Sequence, residues 1–335
     1  ARQGSAGLGR ICHGELWGSR AVKNEALWAG TPASLSPTPL PHKAPQYPFV
    51  ARNYDVEESY CRGFAIGELM PVNSNGIVTA RDSLTIDLDR QSLWSRLRDF
   101  ADGEVEAIRS RYRLSKDVRD WKVAWAQADL GSVDESGLHR ISYRPFETHW
   151  TYYTGNSRGI HCYPRNEVMR NYLDGPNLGL LTSKAHKDAT FAHAFVTNTI
   201  SEAIFLSGTT ASNAMNLPLY LYPDHATAQR DVFAPKQRTL NLDVKLYAAI
   251  CAAAGIDPAD QAGPDDDFRA ATGDARPSEV KVFDYIYSML HAPSYRDTFA
   301  EFLKIDFPRI PYPASPEMFR PISEKGEGLR RLALM

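Results

Sequence analysis

The stretch KVFDYIYSMLHAPSYRDTFAEFLKIDFPRIPYP, Lys281–Pro313, decides most about how this chain folds. In its first half, apolar residues recur every three or four positions, and this spacing predicts a helix with one wide buried face. The residues on that face are Val282, Phe283, Ile286, Tyr287 and Leu290.

The second half of the stretch predicts a second helix followed by an extended strap. Pro293 and Ser294 interrupt the first pattern and favour a new helix start. The predicted buried residues of this second helix are Tyr295, Phe299, Phe302 and Leu303. Proline has no amide proton and a fixed φ, so Pro308, Pro311 and Pro313 exclude further helix. These residues predict a helix pair and a strap, but no function.

Outward from this segment, the pattern changes from helices to strands and back to helices. We expect helices over 90–130, a sheet-rich region over 138–223 and helices over 240–305. The predicted fold class is therefore α+β, with a mixed or antiparallel central sheet between N-terminal and C-terminal helices. The proline-rich stretch Thr31–Pro48 is the best candidate for a domain boundary.

Individual elements follow from the same patterns. Predicted helices are Arg20–Trp28, Gln91–Ala101, Gly103–Tyr112, Ser115–Asp129 and Leu240–Ala254, the last ended by Gly255. In Ser115–Asp129 the spacing of Val118, Trp121 and Trp125 predicts one buried stripe. Predicted strands are Arg10–Trp17, Ile77–Leu88, His139–Tyr143, Thr148–Tyr153, Gly159–Tyr163, Leu178–Thr182, Ala192–Thr197 and Leu217–Tyr222.

Composition indicates an ordinary water-soluble protein. The chain has 335 residues, of which 43% are hydrophobic and 23% charged, and its net charge is −2. Its four cysteines are far apart and form no CxxC pair, which argues against a zinc ribbon and a disulfide framework. No apolar run reaches the roughly 18 residues of a membrane span. We expect a cytoplasmic protein with no membrane partner.

Charge is distributed unevenly along the chain. Residues 109–170 carry eleven Lys and Arg against seven Asp and Glu, whereas residues 256–285 carry three against eight. A polyanion should therefore bind the middle of the chain and not the later segment.

The middle of the chain also interleaves basic and aromatic residues. Arginine contacts phosphates and reads guanine, and aromatic rings stack or wedge at an opened base step. The candidate DNA contacts are Arg140, Arg144, His149, Arg158, Arg165 and Lys184. Strand alternation predicts Arg140 and Arg144 on one face, opposite Ile141 and Tyr143. The alternative is a twisted sheet with aromatics inside and arginines in solvent.

Motifs for catalysis are missing from the sequence. It has no glycine loop and no NPPY-like motif for an adenine methyltransferase, no GxxxxGK[ST], no GxSxG and no HExxH. One set resembles a magnesium-dependent nuclease, namely Asp266, Glu279 and Lys281. Because Glu279 is predicted to begin a helix, a nuclease is the less favoured reading.

Several blocks, taken in order, resemble a known family. They are RICHGELWGSR (Arg10–Arg20), NGIVTARD (Asn75–Asp82), SYRPFETHWTYY (Ser142–Tyr153), RGIHCYPRNEVM (Arg158–Met169), NLGLLTS (Asn177–Ser183), FAHAFVT (Phe191–Thr197), LPLYLY (Leu217–Tyr222) and Lys281–Pro313. Together they resemble the C-terminal part of type ISP restriction-modification enzymes. His149 stands where that family more often carries arginine.

The resemblance implies a division of labour. Residues 1–30 would be the C-terminal edge of an adenine methyltransferase domain, and residues 31–335 a target recognition domain for double-stranded DNA. S-adenosylmethionine, ATP and magnesium would serve the methyltransferase, ATPase and nuclease domains of a bacterial parent protein, and this chain would hold no cofactor. Its partners would be DNA and the methyltransferase domain. A structural module coupling methyltransferase to motor is the alternative.

Overall fold

Short helices and short strands alternate along the residues that the structure describes. The computed structural model describes residues 9–43, 47, 49, 51, 54–131, 134–206, 212–224 and 237–335. The helices are α1 (Arg20–Ala29), α2 (Glu57–Cys61), α3 (Ile66–Leu69), α4 (Asp82–Thr85), α5 (Arg90–Asp102), α6 (Val105–Arg111), α7 (Val123–Leu130), α8 (Asn166–Met169), α9 (Val244–Ala254), α10 (Ser278–His291), α11 (Pro293–Thr298), α12 (Ala300–Leu303) and α13 (Pro316–Ala333). The strands are β1 (Cys12–His13), β2 (Thr38–Pro39), β3 (Phe64–Ala65), β4 (Ser74–Asn75), β5 (Ile86–Asp87), β6 (Leu138–Arg144), β7 (Glu147–Tyr152), β8 (Gly179–Thr182), β9 (Ala194–Thr197), β10 (Ile200–Ser201), β11 (Met215–Pro218), β12 (Tyr220–Leu221), β13 (Thr239–Leu240) and β14 (Arg309–Ile310). This mixture confirms the predicted α+β class.

The chain divides into two compact units, residues 1–57 and residues 58–335. In the first unit β1 pairs antiparallel with β2, so that Cys12 lies opposite Pro39. Helix α1 begins after Ser19, whose hydroxyl accepts a hydrogen bond from the Val22 amide. The predicted strand Arg10–Trp17 is thus reduced to two residues. The assignment of residues 1–30 to the edge of a methyltransferase domain stays a prediction.

The second unit contains two four-stranded sheets in place of one central sheet. The order is β10-β6-β7-β5 in the first and β4-β11-β8-β9 in the second. Strand β10 pairs parallel with β6, and the other pairs in these sheets are antiparallel. The predicted mixed and antiparallel pairing is confirmed.

Helix α10 lies at the centre of the largest core, as its spacing predicts. All five residues of the predicted apolar face are buried. Helix α13 packs along α10, and Gly326 allows the close approach, because a Cβ there would overlap the carbonyl oxygen of Asp284. The sequence did not predict α13, since Pro321, Gly326 and Gly328 weaken its helical pattern.

A buried charge network joins the same two helices. The carboxylate of Asp284 accepts hydrogen bonds from Arg276 at 2.7 Å and from Arg330 at 2.6 and 3.0 Å. All three side chains are almost fully buried. Burial nevertheless raises the pKa of Asp284, against the effect of both arginines.

The predicted second helix is two short helices, α11 and α12, that meet at Phe299. Ala292 precedes α11 as its cap residue and Pro293 occupies the first turn, so Ser294 lies inside the helix. Beyond α12, the strap runs extended as predicted, and β14 pairs with β3, which places Ile310 opposite Phe64.

Three predicted elements, two strands and one helix, are wrong. Helix α4 interrupts the predicted strand Ile77–Leu88, since the Leu84 and Thr85 amides both bond the Arg81 carbonyl. The predicted strand Gly159–Tyr163 is a series of turns. Within it, Tyr163 is the residue that pairs with another segment, through an antiparallel bridge to Val78.

The predicted helix Ser115–Asp129 begins only at Val123. Before it, Val118 and Trp121 pair with each other across a tight turn, and Val118 is 49% exposed. The Asp117 carboxylate accepts from the Val123 amide at 3.2 Å, which favours the later start. The predicted stripe of Val118, Trp121 and Trp125 is therefore wrong, although Trp121 itself is fully buried.

Candidate nucleic-acid interface

The hairpin formed by β6 and β7 carries three of the predicted DNA contacts. Its two-residue turn contains Phe146, which has a φ of 65° and is 78% exposed. The Phe146 ring meets the edge of Phe195 from β9, with ring centroids 5.8 Å apart. A non-glycine residue with positive φ is costly, so this turn holds an aromatic side chain at the hairpin tip against a backbone preference.

A bulge near that tip changes the predicted faces of β6. The register shifts between Ser142 and Arg144, so simple alternation fails there. The guanidinium of Arg144 lies 3.9 Å from the ring centroid of Tyr143 and bonds Glu202 at 2.7 Å. The prediction that Arg140 and Arg144 share a face opposite Ile141 and Tyr143 is therefore not supported by the pairing.

Arg140 and His149 differ in how far they are available to a ligand. Arg140 is exposed, lies 5.0 Å from the ring centroid of Trp150 and donates to the Thr148 carbonyl at 3.2 Å. His149 is half-buried, with its ring 4.6 Å from that of Tyr143. Arg140 is therefore the more accessible of the two side chains.

A carboxylate clamp shapes the loop 154–160, which carries Arg158. Asp129, at the end of α7, accepts from the Thr154 hydroxyl, the Asn156 amide group and the Ile160 backbone amide, each at 2.8 Å. A Cβ at Gly159 would overlap this carboxylate. The clamp therefore requires glycine at 159, and it leaves Arg158 exposed at the loop's outer side.

Four arginines gather around three aromatic rings next to this loop, and we call them the arginine face: Arg81, Arg119, Arg158 and Arg165, with Trp121, Trp125 and Tyr163. Arg81 lies 4.8 Å from the centroid of Trp121, Arg158 lies 5.3 Å from that of Trp125, and Arg165 lies 5.2 Å from that of Tyr163. Arg119 bonds Asp120 at 3.0 Å. Two backbone hydrogen bonds between Val78 and Tyr163 join the segment that carries Arg81 to the segment that carries Arg165.

Two of these arginines have a buried donor to spare. The Nε atoms of Arg81 and Arg165 are buried without a hydrogen-bond partner among the residues that the structure describes. An unpartnered buried donor costs free energy. Because these Nε atoms are shielded, an acceptor from outside would meet the terminal Nη groups of the guanidinium instead, and phosphate oxygens and base edges are such acceptors.

An open cavity of about 320 Å³ lies in the arginine face. It is lined by Arg119, Asp120, Ser157, Arg158, Cys162 and Tyr163. A hydrogen bond to Asp120 raises the pKa of Tyr163, and burial raises the pKa of Cys162, so both groups are neutral near pH 7. The local charge is therefore set by the arginines against the single carboxylate of Asp120.

His161 supports the arginine face from beneath. It is fully buried, and its Nε2 lies 3.1 Å from the Thr151 hydroxyl. Burial lowers the pKa of His161 to about 4. The imidazole is therefore neutral at pH 7 and is a structural residue, not a cationic contact.

The remaining predicted contact and the nuclease set lie elsewhere. Lys184 is exposed in the loop after β8, over the ring of Phe307. Glu279 is fully buried and accepts hydrogen bonds from the Tyr220 hydroxyl and the Ala262 amide, and Lys281 lies 3.9 Å from Asp260. Within the described part of the chain, Asp266 and Glu279 belong to no cluster able to hold a metal ion.

Sequence reasoning missed Arg81, Arg119 and the role of Trp121. Arg81 ends the segment Asn73–Arg81, which the sequence indicates, with Ser183–Asp188, only as an alternative place for the recognition loops. The residue before it, Ala80, has a φ of 57°, a conformation that nothing in an alanine signals. The basic surplus of residues 109–170 does include Arg119, so charge counting was a usable signal.

None of the described helices is both long enough and apolar enough to cross a bilayer.

Comparison with solved structures finds a similar fold in several proteins that were determined with DNA. The chain resembles a structure described as a DrdV–DNA complex, with a TM-score of 0.63, 19% identity and 94% of this chain covered. It also resembles the type ISP restriction-modification enzyme LlaBIII bound to DNA, with a TM-score of 0.62, 16% identity and 90% covered. A nuclease-deletion mutant of the type ISP enzyme LlaGI with a DNA substrate mimic gives 0.54, 17% and 89%.

The chain corresponds to only part of each of these proteins. It spans 29% of the DrdV chain, 18% of LlaBIII and 21% of LlaGI. No curated protein matches the chain. The family model of the type ISP C-terminal specificity domain, however, matches residues 68–335, which is most of the sequence. The chain therefore belongs to the family of type ISP C-terminal specificity domains.

Proposed function

We propose that this chain recognises a sequence in double-stranded DNA, as the specificity domain of a restriction-modification enzyme. The observation that carries the proposal is the arginine face, in which three guanidinium groups lie on aromatic rings and a fourth pairs with Asp120, beside a rigidly held loop. Membership of a family of specificity domains supports it, as do structural neighbours whose titles describe DNA complexes.

The chemistry of the arginine face suits a duplex. A guanidinium stacked on an aromatic ring keeps its N–H edge free, and that edge makes paired hydrogen bonds to phosphate or to guanine. Arg158 is exposed in the clamped loop, and we assign it to base reading. Arg165 and Arg81 lie over the rings of Tyr163 and Trp121, and we assign them to phosphates.

The other predicted contacts take lesser roles in this proposal. Arg140 is exposed and adds a cation on the hairpin. Arg144 is engaged by Glu202 and His149 is half-buried, so both position the hairpin more than they meet DNA. Lys184 lies over Phe307 and would contact phosphate from a separate loop.

Activities of a whole enzyme belong to parts outside this chain. We propose that the parent protein joins this domain to an adenine methyltransferase, its partner in the same chain, and to ATPase and nuclease domains. S-adenosylmethionine, ATP and magnesium would bind there. The domain would hold the duplex so that the methyltransferase flips the target adenine.

The test is selection of duplexes from a randomised library by the purified chain, followed by binding measurements across a salt series. Loss of one phosphate contact should weaken binding to every duplex and reduce the slope of log K against log salt by about one. We expect this for Arg81→Ala and Arg165→Ala. Loss of a base contact should cost about 1–3 kcal/mol on the selected sequence alone. We expect that for Arg158→Ala.

Arg331→Ala is the matched control, because Arg331 is an exposed arginine on α13, outside the arginine face. It should leave affinity and salt slope unchanged. If the library yields no enriched sequence and the arginine variants bind like the control, DNA recognition by this face is wrong. A coupling module that never touches bases would then be the better reading.

A further inference from the structure

The loop between β8 and β9 brings together three side chains that are typical metal ligands. They are His186, Asp188 and His193, and their ligand atoms all lie within 4.8 Å of one another. Asp188 accepts a hydrogen bond from Nε2 of His193 at 2.7 Å. The rings of His186 and His193 lie 4.5 Å apart at their centroids.

His186 is the unusual member of this group. It is only 6% exposed, and neither ring nitrogen has a hydrogen-bond partner among the described residues. A buried imidazole normally has a partner for at least one nitrogen.

From these three side chains we propose a binding site for a divalent transition-metal ion such as Zn²⁺. Two imidazoles and one carboxylate are a ligand set that zinc accepts, with a water in the remaining position. Magnesium and calcium prefer oxygen ligands, so a site with two imidazoles discriminates against them. An ion here would give a nitrogen of His186 a partner and take the place of the proton between His193 and Asp188. That proton would move to Nδ1 of His193, at the expense of the hydrogen bond that this atom accepts from the Ala192 amide.

The distances require a small closure. Two ligands of a tetrahedral zinc ion, each about 2.1 Å from the metal, lie about 3.4 Å apart. Since the ligand atoms now lie up to 4.8 Å apart, the loop would draw them together by up to about 1.4 Å. The base of the loop is already closed, since Thr182 pairs with Ala194 across β8 and β9.

The consequence is a metal clamp on a surface loop. The same loop carries Lys184, so the ion would fix the position of that lysine. The site is separate from the arginine face, and its existence does not depend on DNA binding.

The experiment uses the full chain with Cys12→Ser and Cys61→Ser, because these two exposed thiols would bind zinc on their own. After treatment with a chelator, Zn²⁺ is titrated by calorimetry in the presence of excess Mg²⁺. We expect one ion per chain at micromolar concentration or below, and slower hydrogen exchange of residues 183–193 with zinc present. Co²⁺ should give the visible absorption of a low-symmetry nitrogen and oxygen site.

Zinc binding should weaken by more than about 100-fold in each of three variants, His186→Ala, His193→Ala and the isosteric Asp188→Asn. A loss of this size exceeds the effect of changing a residue that only orients a metal ligand. His291→Gln is the control, since His291 is a part-buried histidine that bonds the Ala194 carbonyl but is no ligand. It should bind zinc like the parent. Zinc should raise the melting temperature of the parent and of His291→Gln, but not of Asp188→Asn. If the parent binds zinc no tighter than millimolar, or if Asp188→Asn binds like the parent, the proposal is wrong.

Discussion

Arg144 donates a hydrogen bond of 2.7 Å to the carboxylate of Glu202, a residue that is only 3% exposed. Glu202 also accepts from the Ile204 amide, and the Tyr143 ring lies beneath the guanidinium. Arg144 therefore serves first as the partner of a buried acid. This relationship separates its role from that of the exposed Arg140 and Arg158.

Arg144→Ala should destabilise the protein by about 1.5–3 kcal/mol at pH 7, because it leaves a buried carboxylate without its cation. Burial already raises the pKa of Glu202, and losing Arg144 raises it further. A carboxyl group whose pKa is raised by folding stabilises the protein while the group is protonated. This contribution is complete below the usual pKa of 4.5 and is lost as the pH rises through the pKa of the folded state. The deficit should therefore shrink between pH 7 and pH 5 in urea unfolding, and Glu202→Gln should largely rescue it. An equal deficit at both pH values would contradict the ion-pair role.

His161 should make the wild-type protein sensitive to mild acid. Its pKa is lowered from 6.5 to about 4 in the fold, so the unfolded chain takes up a proton that the folded chain refuses. This contribution to stability is full above pH 6.5 and is lost as the pH falls toward 4. We expect His161 to account for about 2 kcal/mol of lost stability between pH 7 and pH 5. His161→Gln should remove that part of the pH dependence. If stability falls equally with pH in the wild type and in His161→Gln, this role of His161 is excluded.

Two glycines on α13 should respond in opposite directions to the same change. Gly326→Ala places a methyl group against the Asp284 carbonyl and should cost at least about 2 kcal/mol by forcing α13 away from α10. Gly328 faces open space, so Gly328→Ala should stabilise by up to about 1 kcal/mol through higher helix propensity. Thermal melts of both variants test this. A neutral Gly326→Ala would mean that the helices do not approach as closely as described.

The Asp129 clamp should matter for DNA affinity through Arg158. Asp129→Asn weakens the set of acceptors for Thr154, Asn156 and Ile160 and should cost about 1–3 kcal/mol of stability. If the clamp acts by holding Arg158, the variant lowers affinity for the selected duplex, and adding Arg158→Ala lowers it little further. The control is Asp134→Asn, since the Asp134 carboxylate accepts from the Ser136 amide in the turn before β6, and this variant should retain affinity. Full additivity of the Asp129 and Arg158 changes would overturn this link.

Sequence patterns predicted the elements whose apolar residues are regularly spaced and failed where backbone geometry or distant partners decide. Helices α5 and α10 and the β6–β7 hairpin follow from apolar spacing, because burial on one face is written directly in the sequence. Helix α13 did not, since Gly326 is explained only by the α10 backbone that it meets.

The candidate site divides in the same way. Arg140, Arg158 and Arg165 were found by residue type and local charge. Arg81 was not, because its place depends on Trp121, forty residues later in the chain, and on a turn at Ala80. The partner of Arg144 was also unpredictable, because Glu202 lies near Arg144 only after β10 has paired in parallel with the distant strand β6.

Three residues at or beside the arginine face, Ala80, Arg158 and Arg165, hold left-handed backbone conformations without being glycine. Each such residue costs of the order of 1 kcal/mol and persists only where its surroundings enforce it. The backbone of this surface is thus preorganised: its conformational entropy is lost when the chain folds, and little remains to be lost at an encounter with a ligand. Glycine at these positions would relax the free protein and loosen the surface. The sequence therefore keeps rigidity at the expense of stability in a region where a rigid template favours discrimination between closely similar partners.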